Sequence, residues 1–183
     1  PTLAADENEY QADGGYWVGG GWAPTDYAII KGLDRYGYDG FASEASERYL
    51  TAMAEVFRKT GTVWENYAPE SMAPGTPAKR DFVGWSGCGP IALLIEDVLG
   101  FRPDAIDRRV VWQLHRTDRH GIERLRIGDA ILSLVCEKRE SADSPASLSL
   151  QSDREFEIEI IHPKGARKVT LHPGDPVRLT IPE

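Results

Sequence analysis

The hydrophobic period of the chain changes once, near residue 105, and this change restricts the possible folds. Before it, apolar residues recur every three to four positions, as on one face of a helix. They predict helices over residues 24–36 and 42–59, and a third helix that opens at Pro90 and closes at Gly100. Residues 62–84 contain three prolines and no sustained period, which indicates a long loop.

After about residue 105, apolar and polar residues alternate, which is typical of half-buried strands. Turn signals at Pro163–Gly165 and Pro173–Gly174 separate the last strands, and the Ser-rich stretch 141–153 is expected to be a loop. The predicted fold class is therefore α+β, with helices in residues 1–104 and an antiparallel β domain of about six strands in residues 105–183. The alternation is clearest at these apolar positions: Val110, Trp112, Leu114, Phe156, Ile158, Ile160, Val177, Leu179 and Ile181.

Composition supports a boundary at the same place and limits the partners. Fifteen of the 17 aromatic residues precede residue 105. Residues 1–104 hold 16 acidic and 8 basic side chains, whereas residues 105–183 hold 13 of each. An acidic segment repels phosphate backbones, so nucleic acid is not expected as a partner. No apolar run reaches the length of a membrane span, so no membrane partner is expected either.

The sequence shows neither the spacing of metal ligands nor a targeting signal. The four histidines are scattered without zinc-ligand spacing, and we expect no metal. The two cysteines do not suggest a disulfide framework. The N-terminal residues carry no signal-peptide pattern and no initiator Met, so we expect a processed end or a piece of a longer protein. The sequence does not indicate a cellular compartment.

The stretch GGYWVGGGW, residues 14–22, alternates aromatic residues with glycines. Tyr16, Trp17 and Trp22 offer flat apolar faces that suit the C–H face of a sugar ring. Glycines such as Gly19 allow a backbone to approach a ligand closely. The alternative is that these aromatic residues pack in a core around a tight turn.

The stretch TGTVWENYAPE, residues 60–70, places Glu65 among aromatic and amide side chains. A carboxylate in such a setting could act as an acid or base on a glycosidic bond. Trp64 and Tyr67 would then wall the pocket, and Asn66 would orient a hydroxyl or the attacking water. The alternative is a loop carboxylate paired with a nearby Arg or Lys.

The stretch DFVGWSGCGP, residues 81–90, contains two further candidate nucleophiles. The run Gly84–Gly87 begins like a nucleophile elbow around Ser86, but Cys88 replaces the closing glycine and no buried strand precedes it. A Cys88 thiolate at a helix start, with His115 downstream, is the other possibility. Neither has a positioned base, and a Gly-rich lead into the third helix is the favoured interpretation.

Together, these motifs resemble the C-terminal part of glycoside hydrolase family 63 and trehalase-like enzymes, which include mannosyl-oligosaccharide glucosidase and mannosylglycerate hydrolase. The resemblance covers about residues 14–100 and rests on four motifs in the same order and spacing, with Val18 where relatives often carry Arg. Its motifs here are Tyr16-Trp17-Val18-Gly19 with Trp22; Lys31-Gly32-Leu33 with Tyr36-Gly37; Thr60 to Tyr67; and Asp81 to Gly87 with Gly89-Pro90-Ile91.

The resemblance implies an (α/α)6 barrel and an inverting mechanism on α-linked sugars without a cofactor. Glu65 matches the general base, and Trp85 lies in the loop that follows it. Tyr16, Trp17 and Trp22 match sugar-site aromatic residues. The general acid of the family is an upstream Asp that no segment here matches, and neither Asp26 nor Asp81 is nominated in its place. The β domain resembles an appended C-terminal domain.

Three hypotheses follow. The first is a C-terminal fragment of an inverting α-glycosidase, acting on α-glucosidic or α-mannosidic bonds of an oligosaccharide or small α-glycoside. It would need the upstream half of the same barrel as its partner, and the isolated chain would be inactive. The second is a non-catalytic carbohydrate-binding module. The third is a purely structural fragment whose exposed apolar helix faces associate.

Overall fold

The computed structural model describes residues 2–182, which form two compact units. The first unit ends at Asp97 and the second begins at Val98. The first is helical and the second consists of β-strands, so the α+β class is confirmed. The boundary that composition indicates, residues 104 and 105, lies a few residues further along the chain.

The helical unit contains α1 (Ala23–Arg35), α2 (Asp39–Thr60) and α3 (Gly84–Leu93), and α3 continues as a π-helix over Leu94–Val98. The first two helices confirm the periodicity, and Gly61 ends α2 in the left-handed conformation. One buried cluster joins all three helices through Ile30, Ala42 and Leu93. A second cluster packs Met53 and Val56 of α2 against Tyr67 of the following loop.

The predicted start of the third helix is wrong. The helix begins at Gly84, so Pro90 lies inside it and Gly84–Gly89 are helical rather than a lead-in. The glycines have a packing role: a Cβ on Gly89 would lie 3.1 Å from the Cβ of Ala23, so its absence lets α1 and α3 approach closely. Tertiary contacts here outweigh the low helix propensity of glycine and proline.

The predicted long loop is confirmed and extends from Gly61 to Val83. Isolated bridges give it a defined course: Gly21 pairs with Tyr67, Trp64 with Arg80, and Gly14 with Thr76. The Gly-rich segment before α1 and the loop after α2 are thereby held side by side. Both segments carry residues that the sequence proposes for the site.

As far as residue 182, the second unit contains eight strands rather than six, in two four-stranded sheets with orders β1-β2-β6-β7 and β3-β4-β5-β8. Burial alternates along most strands, as expected where two sheets bury their inner faces. The strands are β1 (Phe101–Asp104), β2 (Arg109–Gln113), β3 (His120–Ile127), β4 (Ala130–Cys136), β5 (Ala146–Ser152), β6 (Phe156–His162), β7 (Gly165–Leu171) and β8 (Val177–Ile181).

Two further expectations for the β unit are corrected. The Ser-rich stretch is a loop only up to residue 145, because Ala146, Leu148 and Leu150 of β5 are buried and the intervening polar residues face outward. The sheets are also not wholly antiparallel, since β2 pairs with β6 in parallel, with Trp112 opposite Ile160. Both predicted turns are confirmed, between β6 and β7 and between β7 and β8.

Candidate functional site

Five rings of the helical unit form an aromatic cluster. Trp17 stacks on Trp22 with ring centroids 4.0 Å apart and planes 1° from parallel. Tyr16 meets Trp22 edge-on at 4.7 Å, and Trp85 lies 5.9 Å from Trp22. Phe82 contacts Trp85 at 4.6 Å. The structure therefore brings together four of the aromatic residues that the sequence proposes and adds Phe82.

Exposure differs sharply within this cluster. Trp22 is buried, whereas Trp17 is 51% exposed and Tyr16 and Trp85 are each 37% exposed. The indole N–H of Trp22 donates to the carbonyl oxygen of Tyr16 at 3.1 Å, which fixes the turn that carries the exposed rings. A buried indole thus supports rings whose faces are open to solvent. Such an arrangement can bind the apolar face of a sugar.

The Gly-rich turn is tightly folded on itself. Tyr16 has a φ of 63°, in the left-handed region that a bulky residue rarely adopts. A Cβ on Gly19 would lie 2.6 Å from the carbonyl oxygen of Gln11, so the protein's own backbone occupies that space. The role of Gly19 in ligand binding stays a prediction, while its role in closing the turn follows from this contact.

Glu65 is half-buried in the loop after α2. Its N–H donates to the carbonyl oxygen of Lys79 at 2.9 Å, and its carboxylate Oε2 accepts a long bond of 3.4 Å from the Lys79 N–H. Its carbonyl oxygen accepts a 2.8 Å bond from the indole of Trp85. Within residues 2–182, no Arg or Lys side chain forms an ion pair with Glu65. The alternative of a simple loop salt bridge is therefore not what this structure shows.

The neighbours of Glu65 point into the protein. The Asn66 side chain is fully buried, and its Nδ2 donates to the carbonyl oxygen of Pro77 at 3.1 Å. The hydroxyl of buried Tyr67 accepts a 3.2 Å bond from the Trp64 N–H, and the Trp64 indole donates to Thr60 Oγ1 at 3.0 Å. Each contact stiffens the loop around Glu65. Direct contact of Trp64, Asn66 and Tyr67 with a substrate stays a prediction.

The two candidate nucleophiles have other surroundings. Ser86 is buried, and its hydroxyl donates to the Trp64 carbonyl oxygen at 2.6 Å, so its proton is directed at a backbone acceptor and not at a base. Cys88 is exposed on α3, beside an apolar groove of 270 Å³ that Tyr27 and Trp85 also line. Neither arrangement resembles an activated nucleophile.

Asp26 of α1 is a carboxylate near this loop whose pKa is strongly shifted. Burial raises its pKa to about 6. Burial also raises the pKa of Tyr49, and the Asp26 charge adds to that shift. Asp81, in contrast, is exposed and accepts a 2.6 Å hydrogen bond from Thr62. No local sequence signal marks Asp26, because its burial depends on the packing of α1 against α2 and the loop.

Among residues 2–182, no group of three or more His, Cys, Asp or Glu side chains is arranged to hold a metal ion. In the same range, no helix combines the length and the apolarity that crossing a membrane requires.

Comparison with known proteins identifies the class to which the helical unit is similar. Residues 17–92 match the family model of trehalase. This range contains Glu65 and four of the five rings of the aromatic cluster. At this coarse level, the helical unit is similar to the trehalase-like glycoside hydrolases.

Two of the similar individual proteins are trehalases, and a third is uncharacterized. The periplasmic trehalase of Xanthomonas campestris pv. campestris is 35% identical over 78 residues, which are 40% of this chain and 14% of that enzyme. The periplasmic trehalase of Pseudomonas aeruginosa is 30% identical over 78 residues, again 40% of this chain and 14% of the enzyme. An uncharacterized protein of Borreliella burgdorferi is 26% identical over 149 residues, 75% of this chain and 31% of that protein.

The chain thus spans less than a third of the length of each of these relatives. No solved structure matches it.

Proposed function

We propose that the helical unit is the C-terminal part of the catalytic domain of an inverting α-glycosidase, with Glu65 as its general base. The observation that carries this proposal is the placement of Glu65. Its carboxylate has no cationic partner within residues 2–182, and its carbonyl oxygen is hydrogen-bonded to Trp85 of the aromatic cluster. A carboxylate that is free to act as a base is one of the two carboxyl groups that hydrolysis of a glycoside requires.

In this mechanism, Glu65 accepts a proton from a water molecule as the water oxygen attacks the anomeric carbon. The glycosidic C–O bond breaks, and the leaving oxygen takes a proton from a general acid in the upstream part of the protein. An inverting enzyme keeps its two carboxyl groups about 6.5–9.5 Å apart to leave room for the water. The faces of Tyr16, Trp17 and Trp85 are proposed to contact the sugar rings.

The proposed partner of the helical unit is the upstream half of an (α/α)6 barrel. Several large apolar side chains on its helices are more than half exposed, and in this proposal the upstream half covers them. They are Ile29, Phe41, Phe57 and Ile91. The matched trehalases favour an α-glucoside such as trehalose as the substrate, and an α-mannoside or a longer oligosaccharide remains the other possibility within this proposal.

The test is Glu65→Gln in the native protein that contains this chain. Glutamine keeps the shape of the side chain but cannot take the proton from water, so kcat should fall by about 10²–10⁴-fold while KM stays within about threefold. Glu70→Gln, an exposed carboxylate in the same loop, is the matched control and should leave kcat unchanged. Retention of most of the wild-type rate by Glu65→Gln would refute the assignment of the base.

The second candidate function is a carbohydrate-binding module without catalysis. The observation in its favour is the stack of exposed Trp17 on buried Trp22, which lies wholly within this chain and needs no upstream acid. The mass of the native polypeptide separates the two candidates. A mass far above 20.3 kDa fits a full glycosidase, whereas a native product near 20.3 kDa fits a binding module.

A further inference from the structure

Ser86 is held in a position that bears directly on Glu65. It lies in the first turn of α3, is buried, and donates a short hydrogen bond of 2.6 Å to the carbonyl oxygen of Trp64. Its Oγ is also 3.5 Å from the carbonyl oxygen of Glu65. We propose that Ser86 is a positioning residue that fixes the backbone of Glu65. This inference rests on the proposed role of Glu65 as the base.

The residue before Ser86 completes the contact. The indole of Trp85 donates to the Glu65 carbonyl oxygen at 2.8 Å, so two consecutive residues of one helical turn bind two consecutive carbonyl groups of the loop. A loop held by a single bond can pivot about it, but two adjacent bonds fix both its place and its orientation. The backbone at Trp64 and Glu65 is thus tied to a helix.

The opposite edge of the loop is also bound. The Glu65 N–H donates to the carbonyl oxygen of Lys79, and the Phe82 N–H donates to the carbonyl oxygen of Val63. The backbone of Glu65 is therefore held from both sides, while its carboxylate accepts one long bond from among residues 2–182. A base must sit within about 0.5 Å of its productive position, and a displacement of about 1 Å can cost about 10²-fold in rate.

The kinetic test uses Ser86→Ala in the native protein. Removal of the hydroxyl should lower kcat by about 10- to 100-fold because the base is misplaced, with KM within about threefold because the aromatic faces remain. Ser86→Thr restores a hydroxyl and should recover most of the loss. Ser46→Ala is the matched control, since Ser46 is equally buried but its hydroxyl has no hydrogen-bond partner among residues 2–182. It should leave kcat unchanged.

A second test needs no activity and uses the same native protein that contains this chain. Loss of one hydrogen bond should let the loop open more often, so the exchange rate of the Glu65 amide proton should rise by about three- to tenfold in Ser86→Ala. The same amide in Ser46→Ala should exchange as in the wild type. This measurement reports the position of the loop whether or not the chain is part of an enzyme.

The outcomes separate the two proposals. If Glu65→Gln keeps its activity, the proposed base is wrong, and a changed amide exchange in Ser86→Ala would then describe only loop structure. If Glu65→Gln loses activity but Ser86→Ala behaves like Ser46→Ala in rate and exchange, the base stands and the role of Ser86 is overturned. A loss of rate that Ser86→Thr does not restore, together with a lowered Tm in both variants, also overturns it.

Discussion

Replacement of Lys31 by Met should destabilise the helical unit, and by more at high pH than at low pH. The Nζ atom of Lys31 lies 2.7 and 2.8 Å from the two carboxylate oxygens of Asp97, whose side chain has no exposed surface. It also lies 2.9 Å from Glu96 and 3.2 Å from Asp34. One cation therefore serves three carboxylates, and one of these is out of reach of water.

The pKa values of this cluster set the direction of the pH dependence. Burial raises the pKa of Asp97 well above its usual range, and the hydrogen bond with Asp34 adds to the shift. Burial acts to lower the pKa of Lys31, but hydrogen bonds to Asp97 and Glu96 outweigh it, so Lys31 keeps its charge. The native state therefore holds a proton at Asp97 that the unfolded chain releases, and its stability falls as the pH rises through the window between the two pKa values.

The magnitude follows from the charge that the substitution leaves behind. At about pH 8 the buried Asp97 without Lys31 must either stay ionised and unpaired or take up a proton from water, and the cost should reach about 3–5 kcal/mol of unfolding free energy. At about pH 5 Asp97 is protonated, so the loss should be limited to the hydrogen bonds, about 1–2 kcal/mol. The expected difference in destabilisation between the two pH values is therefore about 1–4 kcal/mol.

Urea unfolding of the chain, followed by far-ultraviolet ellipticity, measures this difference because the helices dominate that signal. Lys59→Met is the control: Lys59 is exposed and should change stability by less than about 0.5 kcal/mol at both pH values. Asp97→Asn added to Lys31→Met should recover most of the loss at about pH 8. An equal destabilisation by Lys31→Met at both pH values would refute the account of the buried carboxylate.

Two further predictions concern the loop and the thiols. A Cβ on Gly75 would overlap Oδ1 of Asn66, so Gly75→Ala should lower the unfolding free energy by about 1–3 kcal/mol. Gly40 faces open space, so Gly40→Ala should leave the unfolding free energy equal or raise it. A urea titration that ranks the two variants the other way would contradict this prediction. Cys88 is exposed, whereas Cys136 is buried and burial raises its pKa to about 11. A thiol reagent should therefore label Cys88 in the native chain and both cysteines after unfolding. Rapid labelling of both in the native chain would contradict the burial of Cys136.

The elements that were predictable from the sequence are those whose packing leaves a local period. Helices α1 and α2 each bury one apolar stripe, and their predicted bounds lie within a few residues of the observed ones. Helix α3 was predicted six residues late because its first turns are rich in glycine, a composition that indicates a loop unless Ala23 is known to pack against Gly89. The parallel pairing of β2 with β6 links segments that are distant in sequence, so no local pattern predicts it.

Strand β5 shows a different failure. Its residues Ala146, Leu148 and Leu150 alternate with Ser and Gln, which is the pattern of a half-buried strand. Its high serine content, by contrast, is typical of a loop, so composition and period disagree in this segment. In this segment the alternation was the better guide, because burial of alternate side chains, and not residue type, decides whether a strand forms.

The candidate site was likewise predictable only in part from the sequence. The motifs supplied Trp17, Trp22, Glu65 and Trp85, and the structure places the three rings in one cluster and ties Glu65 to Trp85. They did not supply Ser86 as a support, because a serine inside a Gly-rich run has no signature for the backbone carbonyl it will contact.

The late predicted start of α3 and the missed role of Ser86 have the same cause. Both depend on the helical conformation of residues 84–89. If residues 84–89 were an irregular loop, no regular geometry would relate the side chain of Trp85 to that of Ser86. Because the segment is helical, both donors are set by one rigid turn. The helix that propensity argues against is thus the element that fixes Glu65, and a variant that uncoils its first turn should release the loop even with both side chains present.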